Sequence, residues 1–570
     1  MKKIYTSVFI LFVLSVFSNL TYSQTLSKET TQFIDNLLNS SYPEKNPGIS
    51  ILISENDVPV YKKAFGMSDM ESGSKSDPEN LYAIGSMTKQ FTAVGILCLV
   101  NEGKINLNDD IRKYIPDYNT HGKTVTIENC LTHSSGIPSF TELKGFDKIY
   151  DKKLSKDEIV KYFQDEELMF DPGTDFSYSN SAYFLLGIVI ENVSGMTYED
   201  FIQKNIFDKA GMKHSYFGNW EKKIPLFTTG YESSDNNSYA KASYFDWSWP
   251  FSAGNIISST SDLLNWNNAL VNEKLIPVSL LKKAWSPYML AGGVNSNYGY
   301  GWNVSQLNNY TIIKHGGAIN GFLSDGIYIP EKKIYIAALS NNSGKSPDEV
   351  TNKILFKILN INDEDPVSVN LDKSAFDEYT GAFEVNRGGG RLLKNYSAEK
   401  QYRFISNGGD SLIMSRTGGG KSGFFPYAKD KFFLKKSGKR FEFIRNSEGK
   451  ITALEVYDYP VTLGPADICQ KVNIELPTER KEITLTAESM KKFEGEYELQ
   501  PGFILKFFVE NGNLYVQPTG QKTLQMHPES ENKFFLKEVD AQAEFVQDAD
   551  GKVNSMIFTQ GQKFECKRIK

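Results

Sequence analysis

The sequence predicts an α/β (α+β) domain, with an antiparallel sheet flanked by helices, followed by two related all-β, barrel-like domains. Strand-like segments occur near both ends of the first part of the chain, with mainly helical patterns between them. After about residue 365, short alternating strands with Gly, Asn and Asp turns replace the helical pattern. Several sequence blocks of this second part occur twice, which indicates an internal repeat.

The composition is that of a folded protein with several domains. The chain has 570 residues, and domains of about 150 residues would give about 3.8 of them. Hydrophobic residues make up 40% and charged residues 23%, which excludes disorder as the main state. The net charge is −6 and no basic stripe is visible, so we expect no nucleic-acid partner.

The N-terminal residues have the pattern of a secretory signal. Two lysines precede an apolar run over residues 8–17, which is too short to span a bilayer. Small residues at Thr21 and Ser23 predict cleavage before Gln24. We therefore expect residues 1–23 to be a signal peptide and the protein to be periplasmic or secreted, without stable membrane insertion after cleavage. The alternative is an uncleaved membrane anchor.

The first part of the chain predicts one sheet built from distant segments. Residues 48–67 have the pattern of a β-hairpin, and residues 309–340 that of three successive strands. The segment 86–290 is mainly helical, and a further helix is predicted over 348–359. This first domain is expected to span residues 24–365.

The second part contains a repeat with two matched offsets. The pentapeptide Lys-Phe-Phe-Leu-Lys at 431–435 recurs at 533–537, an offset of 102 residues. Upstream, residues 379–383 resemble residues 493–497, an offset of 114. The first copy therefore carries about 12 extra residues. The two predicted all-β domains span residues 366–475 and 476–570.

Ser86 and Lys89 open an apolar helix that is predicted to run to about Asn101. Residues three apart on a helix face the same way. A neutral lysine can take the proton of a serine hydroxyl and make it a nucleophile, and burial lowers a lysine pKa enough to allow this. The helix N-terminus adds a positive end where an oxyanion would form.

The Ser-x-x-Lys spacing alone is a weak signal. It occurs at five other places, which we interpret as solvated surface pairs. These are Ser72/Lys75, Ser238/Lys241, Ser279/Lys282, Ser397/Lys400 and Ser489/Lys492.

Tyr178-Ser179-Asn180 is the only Tyr-x-Asn in the chain. The Tyr178 phenol is suited to carry a proton to a leaving group. Asn180 is suited to hold Lys89 and a substrate amide. The alternative is that both are structural turn residues.

His315-Gly316-Gly317 is the only His-x-Gly in the chain. It follows an apolar strand, where His315 is expected to donate a hydrogen bond near the Tyr178 oxygen. Gly316 and Gly317 would let substrate approach the backbone closely. The alternative is that His315 is a packing residue.

Two other features of the sequence concern the wall of the cleft and the possibility of a metal site. The aromatic segment 244–251 either walls the cleft or packs as a loop. The four cysteines form no Cys-x-x-Cys pair and the five histidines are scattered. We therefore expect no metal and no cofactor.

The three motifs, in this order, resemble those of the serine β-lactamase-like, penicillin-binding hydrolases. This group includes class C β-lactamases, D-alanyl-D-alanine carboxypeptidases, D-aminopeptidases and esterases (peptidase family S12). The resemblance covers about residues 30–360 and includes the segments 131–138 and 298–302. The β repeats resemble, more loosely, the lipocalin-like C-terminal domains of some members.

The resemblance implies a β-lactamase/transpeptidase-like fold and a role for each motif residue. It implies that Ser86 is the acylated nucleophile and that Lys89 and Tyr178 share the acid–base work. Asn180 would position Lys89 and the substrate, and His315 would tune the electrostatics of the site. The N–H groups of Ser86 and Ala318 would form the oxyanion hole.

One departure concerns the third motif. Many β-lactamases carry Lys-Thr-Gly where this chain has His315-Gly316-Gly317, so the cation and the hydroxyl that could grip a substrate carboxylate are missing. This argues against efficient β-lactam hydrolysis and against recognition of a free C-terminal carboxylate.

The sequence thus predicts an exported serine hydrolase that acts through a Ser86 acyl-enzyme. Its expected substrate is an amide or ester, such as a D-amino-acid peptide or a small ester. The alternatives are a β-lactamase, or a catalytically weak penicillin-binding or sensing protein whose β domains bind ligand.

Overall fold

A computed structural model describes most of the chain beyond the predicted signal peptide, which lies outside the described residues. Within the described part of the chain, no helix combines the length and the apolar character needed to cross a membrane. The described residues are 26–233, 238–291, 293, 295–362, 365–386, 402–417, 420–435, 437–458, 467–477, 480–500, 503–548, 550–560 and 563–570.

Helices occupy mainly the first part of the chain, as predicted. The helices are α1 (Lys28–Ser41), α2 (Thr88–Asn101), α3 (Ile127–Leu131), α4 (Lys156–Phe163), α5 (Asn180–Ser194), α6 (Tyr198–Ile202), α7 (Asp208–Ala210), α8 (Phe251–Gly254), α9 (Thr260–Val271), α10 (Val278–Ala284), α11 (Asp348–Leu359) and α12 (Ala487–Met490).

The strands fall into a central sheet, small accessory sheets and two barrels. Those of the first part are β1 (Ile49–Glu55), β2 (Val58–Phe65), β3 (Met67–Asp69), β4 (Ser74–Lys75), β5 (Tyr82–Ala83), β6 (Tyr216–Phe217), β7 (Tyr231–Ser233), β8 (Tyr239–Lys241), β9 (Ile256–Ser258), β10 (Asn303–Leu307), β11 (Tyr310–Ile319), β12 (Phe322–Ile329) and β13 (Ile334–Ser340). Those of the second part are β14 (Gly381–Asn386), β15 (Tyr402–Asn407), β16 (Leu412–Arg416), β17 (Lys421–Ala428), β18 (Lys431–Leu434), β19 (Lys439–Arg445), β20 (Ile451–Asp458), β21 (Asp467–Val472), β22 (Gly495–Gln500), β23 (Phe503–Glu510), β24 (Asn513–Pro518), β25 (Leu524–Pro528), β26 (Lys533–Phe535), β27 (Gln542–Gln547), β28 (Val553–Thr559) and β29 (Lys563–Arg568).

The central sheet joins both ends of the first part, which confirms the predicted architecture. Its order is β10-β11-β12-β13-β1-β2, and the pairs are antiparallel. The hairpin β1–β2, the three strands β11 to β13 and the helix α11 match the sequence prediction. The short strand β10 was not predicted, because its five residues lack a clear alternation of polar and apolar side chains.

Alternate residues of the sheet face two separate cores. Leu52 and its partner Ala337 belong to the large core under the helical layer that includes α2 and α5. Ile53 and its partner Ile336 belong to the core under α1 and α11. A strand covered on both faces is buried at every position, and β1 is buried from Ile49 to Ser54, including its two serines.

Helix α2 lies in the middle of the large core and carries the predicted Ser-x-x-Lys pair at its start. A 3-10 turn, Gly85–Met87, leads into α2. The Phe91 ring stacks on Trp266 with the ring centroids 4.1 Å apart. All residues of α2 from Thr88 to Leu99 are buried, so the start of the helix is held rigidly inside the domain.

The second part of the chain forms two closed eight-stranded barrels, β14–β21 and β22–β29. Aromatic side chains fill both interiors at matching positions. In the first barrel, Phe432 packs on Tyr379 and Phe443 with centroid distances of 5.1 and 5.4 Å. In the second, Phe534 packs on Phe493 and Phe545 at 5.2 and 5.8 Å.

The chain leading into each barrel is also placed in the same way. The Val369 N–H donates to the Pro426 carbonyl, and the Ile483 N–H donates to the Pro528 carbonyl. The offsets between these pairs, 114 and 102 residues, are those of the sequence repeat. The two barrels are therefore copies of one structural unit.

Candidate active site

Ser86 lies in the 3-10 turn before α2, with Lys89 one turn later in the helix. The Ser86 side chain is partly exposed, whereas Lys89 is fully buried. Lys89 Nζ lies 3.0 Å from Ser86 Oγ. The structure thus places the amine against the hydroxyl, as the spacing predicts.

The surroundings of Lys89 suit a neutral amine. Its Nζ donates to Asn180 Oδ1 at 2.8 Å and to the Ala253 carbonyl at 3.0 Å. These two acceptors use two N–H bonds, so the remaining lone pair of a neutral amine is available for the Ser86 hydroxyl proton. Burial lowers the Lys89 pKa well below its ordinary value.

Tyr178 lies beside Lys89 and close to the serine. Lys89 Nζ is 4.7 Å from the centre of the Tyr178 ring, and the phenol is close enough to the Ser86 side chain for its pKa to be affected. Burial raises the pKa of the phenol, and the nearby Ser86 side chain partly opposes this. Tyr178 is therefore protonated near neutral pH, whereas Lys89 is the group whose proton is easily lost.

Asn180 is held at the first position of α5 by a second set of hydrogen bonds. Ser179 caps this helix, accepting from the Ala182 N–H. Asn180 Nδ2 donates to Ser139 Oγ at 3.3 Å and to Thr141 Oγ1 at 3.2 Å. This fixes the amide so that its oxygen faces Lys89, as expected, and its nitrogen faces the loop that carries Ser139.

His315 is placed near the site but does not make the expected hydrogen bond to Tyr178. Its Nδ1–H donates to the Gly316 carbonyl, so its Nε2 accepts from the Tyr298 hydroxyl at 2.9 Å. Burial, with a smaller contribution from Lys89, lowers the pKa of His315 to about 3. His315 is therefore a neutral, fully engaged side chain that holds Tyr298.

The edge of β11 runs beside the turn that carries Ser86. Strand β10 pairs with β11 over residues 310–314, and the next residues of β11 lie against the turn Gly85–Met87. A Cβ atom added to Gly85 would lie 2.9 Å from the Ala318 nitrogen, and one added to Gly317 would lie 2.0 Å from the Ile84 carbonyl oxygen. The backbones thus meet where only glycine fits, next to the Ala318 N–H.

A side chain at position 316 would point in a different direction from one at position 317. A Cβ atom added to Gly316 would approach the Ser324 carbonyl at 3.3 Å and the buried Asp325 carboxylate at 3.8 Å. In an antiparallel strand, neighbouring side chains point to opposite faces. Position 316 therefore faces away from the Ser86 turn.

The other Ser-x-x-Lys pairs are surface groups, as interpreted from the sequence. The pairs at 72/75, 238/241, 279/282 and 489/492 are exposed. The pair at 397/400 lies outside the described residues. Lys89 is buried, whereas the lysines of these four other pairs are exposed.

The aromatic segment 244–251 is mostly packed rather than open. Trp247 and Trp249 are buried, whereas Tyr244 is 54% exposed. The segment leads into α8, whose Ala253 supplies the carbonyl that binds Lys89. Sequence reasoning missed Ala253, because a backbone carbonyl leaves no mark on residue identity. Tyr298 lies in a segment that the resemblance pointed to, although without a role.

Comparisons with known proteins agree with this geometry. A family model described as Beta-lactamase matches residues 35–359, and one described as a domain of unknown function (DUF3471) matches residues 479–569. Penicillin-binding protein 4* of Bacillus subtilis (strain 168) is 23% identical over 542 residues, which cover 91% of this chain and 95% of that protein.

Solved structures show the same fold. The octameric penicillin-binding protein homologue from Pyrococcus abyssi is 26% identical, with a TM-score of 0.54, and covers 78% of this chain and 99% of its own. The D-amino acid amidase from Ochrobactrum anthropi SV3 is 23% identical, with a TM-score of 0.52, and covers 58% of this chain and 99% of its own.

We predict that Gly317→Ala slows covalent labelling of Ser86 by a fluorophosphonate about 100-fold, because the added methyl would push β11 away from the serine turn. Intact mass spectrometry over time measures the rate. Gly316→Ala is the matched control and should cause a much smaller loss, since its methyl faces away from the turn. Equal losses in both variants would contradict this geometry.

We also predict the pH dependence of that labelling. Because only the neutral amine of Lys89 can accept a proton, the rate should rise with pH through the Lys89 pKa and then reach a plateau. Since this pKa is lowered, the rise should lie well below the ordinary lysine value of about 10.4. Lys89→Arg should remove the rise together with the activity, because arginine stays protonated. A rise centred near the ordinary lysine value would contradict a role for the buried amine.

Proposed function

The chain belongs to the beta-lactamase family, and we propose that it is an exported serine hydrolase that cleaves neutral amides or esters, including D-amino-acid amides, through a Ser86 acyl-enzyme. The observation that carries this proposal is the buried Lys89 amine, which faces the Ser86 hydroxyl and two carbonyl acceptors. The D-amino acid amidase fold and the signal-like N-terminus support the substrate class and the export.

Acylation begins with proton transfer from Ser86 to Lys89. The Ser86 oxygen attacks the substrate carbonyl carbon, and the carbonyl oxygen becomes an oxyanion. The N–H groups of Ser86 and Ala318 stabilise this oxyanion, at the place where β11 meets the serine turn. The N-terminal end of the helix that starts at Thr88 adds favourable potential there.

Tyr178 serves the second half of acylation. As the bond to the leaving group breaks, the protonated phenol donates its proton to the departing nitrogen or oxygen. The Lys89 ammonium then returns a proton to the phenolate, which restores both groups. The opposite pKa shifts of Lys89 and Tyr178 support Lys89 as the base and Tyr178 as the acid in this scheme.

Deacylation uses the same groups with water. Lys89, neutral again, takes a proton from a water molecule that attacks the ester carbon. The second oxyanion forms in the same place, and Ser86 leaves as its proton returns. The products are a carboxylic acid and the free hydroxyl of Ser86.

The third motif favours a leaving group without a free carboxylate. His315 is uncharged and already binds Tyr298. A side chain at Gly316 would face Asp325 rather than the site. The residues of this motif therefore offer no cation for a carboxylate, which favours amidase, aminopeptidase or esterase chemistry over carboxypeptidase chemistry.

We predict that Ser86→Ala lowers turnover of short-chain esters and D-amino-acid amides by at least about 1,000-fold, since no nucleophile remains. Ser279→Ala is the matched control: it removes the serine of another Ser-x-x-Lys pair, on the exposed face of helix α10. It should leave both the rate and thermal unfolding unchanged. Turnover that survives in Ser86→Ala, or no turnover and no Ser86 adduct in the wild type, would refute the proposed function and favour the sensing alternative.

We predict that a D-alanyl-D-alanine peptide with an amidated C-terminus is hydrolysed at least about tenfold faster, by kcat/KM, than the same peptide with a free carboxylate. The reason is that a carboxylate would be desolvated beside the neutral His315 without a cation to pair with. Steady-state assays of the two peptides under identical conditions measure this ratio. A preference for the free acid would show that another residue supplies the missing cation.

A further inference from the structure

His133 holds the backbone on both sides of Tyr178. Its carbonyl accepts from the Ser177 N–H at 2.9 Å. Its side-chain Nδ1 accepts from the Ser179 N–H at 3.0 Å. A single residue therefore fixes the two peptide groups that flank the phenol.

The His133 ring also supports the Tyr178 ring directly. The two ring centroids are 4.2 Å apart, and the planes are tilted by 37°. On its other sides the imidazole packs against Tyr183 and Tyr298, at 5.0 and 4.7 Å. Since His133 is completely buried, these rings leave Tyr178 little freedom to tilt away from Ser86.

The backbone of His133 adopts a conformation that makes this double contact possible. Its φ is 57°, in the left-handed region that few residues other than Gly, Asn, Asp and His visit. Because Nδ1 is the acceptor, the ring proton is on Nε2. Within the part of the chain that the structure describes, Nε2 is buried without a hydrogen-bond partner.

An unpaired buried donor and a left-handed backbone both cost stability. If position 133 only had to fill space, a phenylalanine in an ordinary backbone conformation would avoid both costs. What His133 provides in return is an acceptor and a flat ring placed together against Tyr178.

We infer that His133 is a positioning residue that holds the Tyr178 phenol in place to protonate the leaving group. This rests on the proposed function, because it assumes that Tyr178 acts as the acid. His133 does not touch substrate or the reacting atoms, and it acts only through Tyr178.

The test is a double-mutant cycle on the full chain with a D-amino-acid amide as substrate. His133→Phe keeps a flat ring and removes the acceptor for Ser179. It should lower kcat about 10- to 100-fold with little change in KM, because substrate binding does not involve Tyr178 placement. His133→Asn tolerates the left-handed backbone and offers a side-chain acceptor, so it should recover much of kcat.

The decisive comparison is made in a Tyr178→Phe background. If His133 acts through the Tyr178 hydroxyl, His133→Phe should cause no further loss of kcat there. An equal loss in both backgrounds would overturn the inference and make His133 a general structural residue. An unchanged kcat in the single His133→Phe variant would overturn it as well.

Two further measurements keep the result decisive. If His133→Phe does not fold, as judged by thermal unfolding, His133→Ala is carried through the same cycle, because it removes the ring without adding bulk. If the wild type turns over no substrate, the proposed function itself has failed; a wild type that turns over the amide while His133→Phe keeps an unchanged kcat overturns only the inference about His133.

Discussion

The site depends on one buried amine whose hydrogen-bond partners, within the described part of the chain, include no carboxylate. Lys89 is surrounded by a hydroxyl, an amide oxygen and a backbone carbonyl, from Ser86, Asn180 and Ala253. An ion pair would have kept the lysine charged. Neutral acceptors at a buried position instead favour the free amine, which is the form that the proposed mechanism requires.

Holding that amine in place requires elements from all of the first part of the chain. Helix α2 supplies Lys89, α5 supplies Asn180 at its first position, and α8 supplies the carbonyl of Ala253. The sheet then brings β11 to the serine turn. The approach of Gly317 to the Ile84 carbonyl shows how closely the two backbones meet, and the proposed oxyanion hole lies at that contact.

The barrels follow a separate and simpler rule. Each closes eight strands around aromatic side chains, and the residues at the centre correspond between the copies, as with Phe432 and Phe534. Closure removes the exposed strand edges that an open sheet would leave. The apolar residues that recur in the two copies lie in the packed interiors of the barrels. Folding therefore explains why these residues recur.

The sequence by itself determined the local features of this protein. The three-residue spacing of Ser86 and Lys89, the bounds of α11 and the barrel repeat follow from periodicity and internal similarity, which are properties of short stretches. The tertiary structure decided the partners across long distances: Ala253 for Lys89, Tyr298 for His315, and His133 for Tyr178. Backbone carbonyls and buried ring contacts leave no pattern in neighbouring residues, because the chain folds them together from segments that lie tens to hundreds of residues apart.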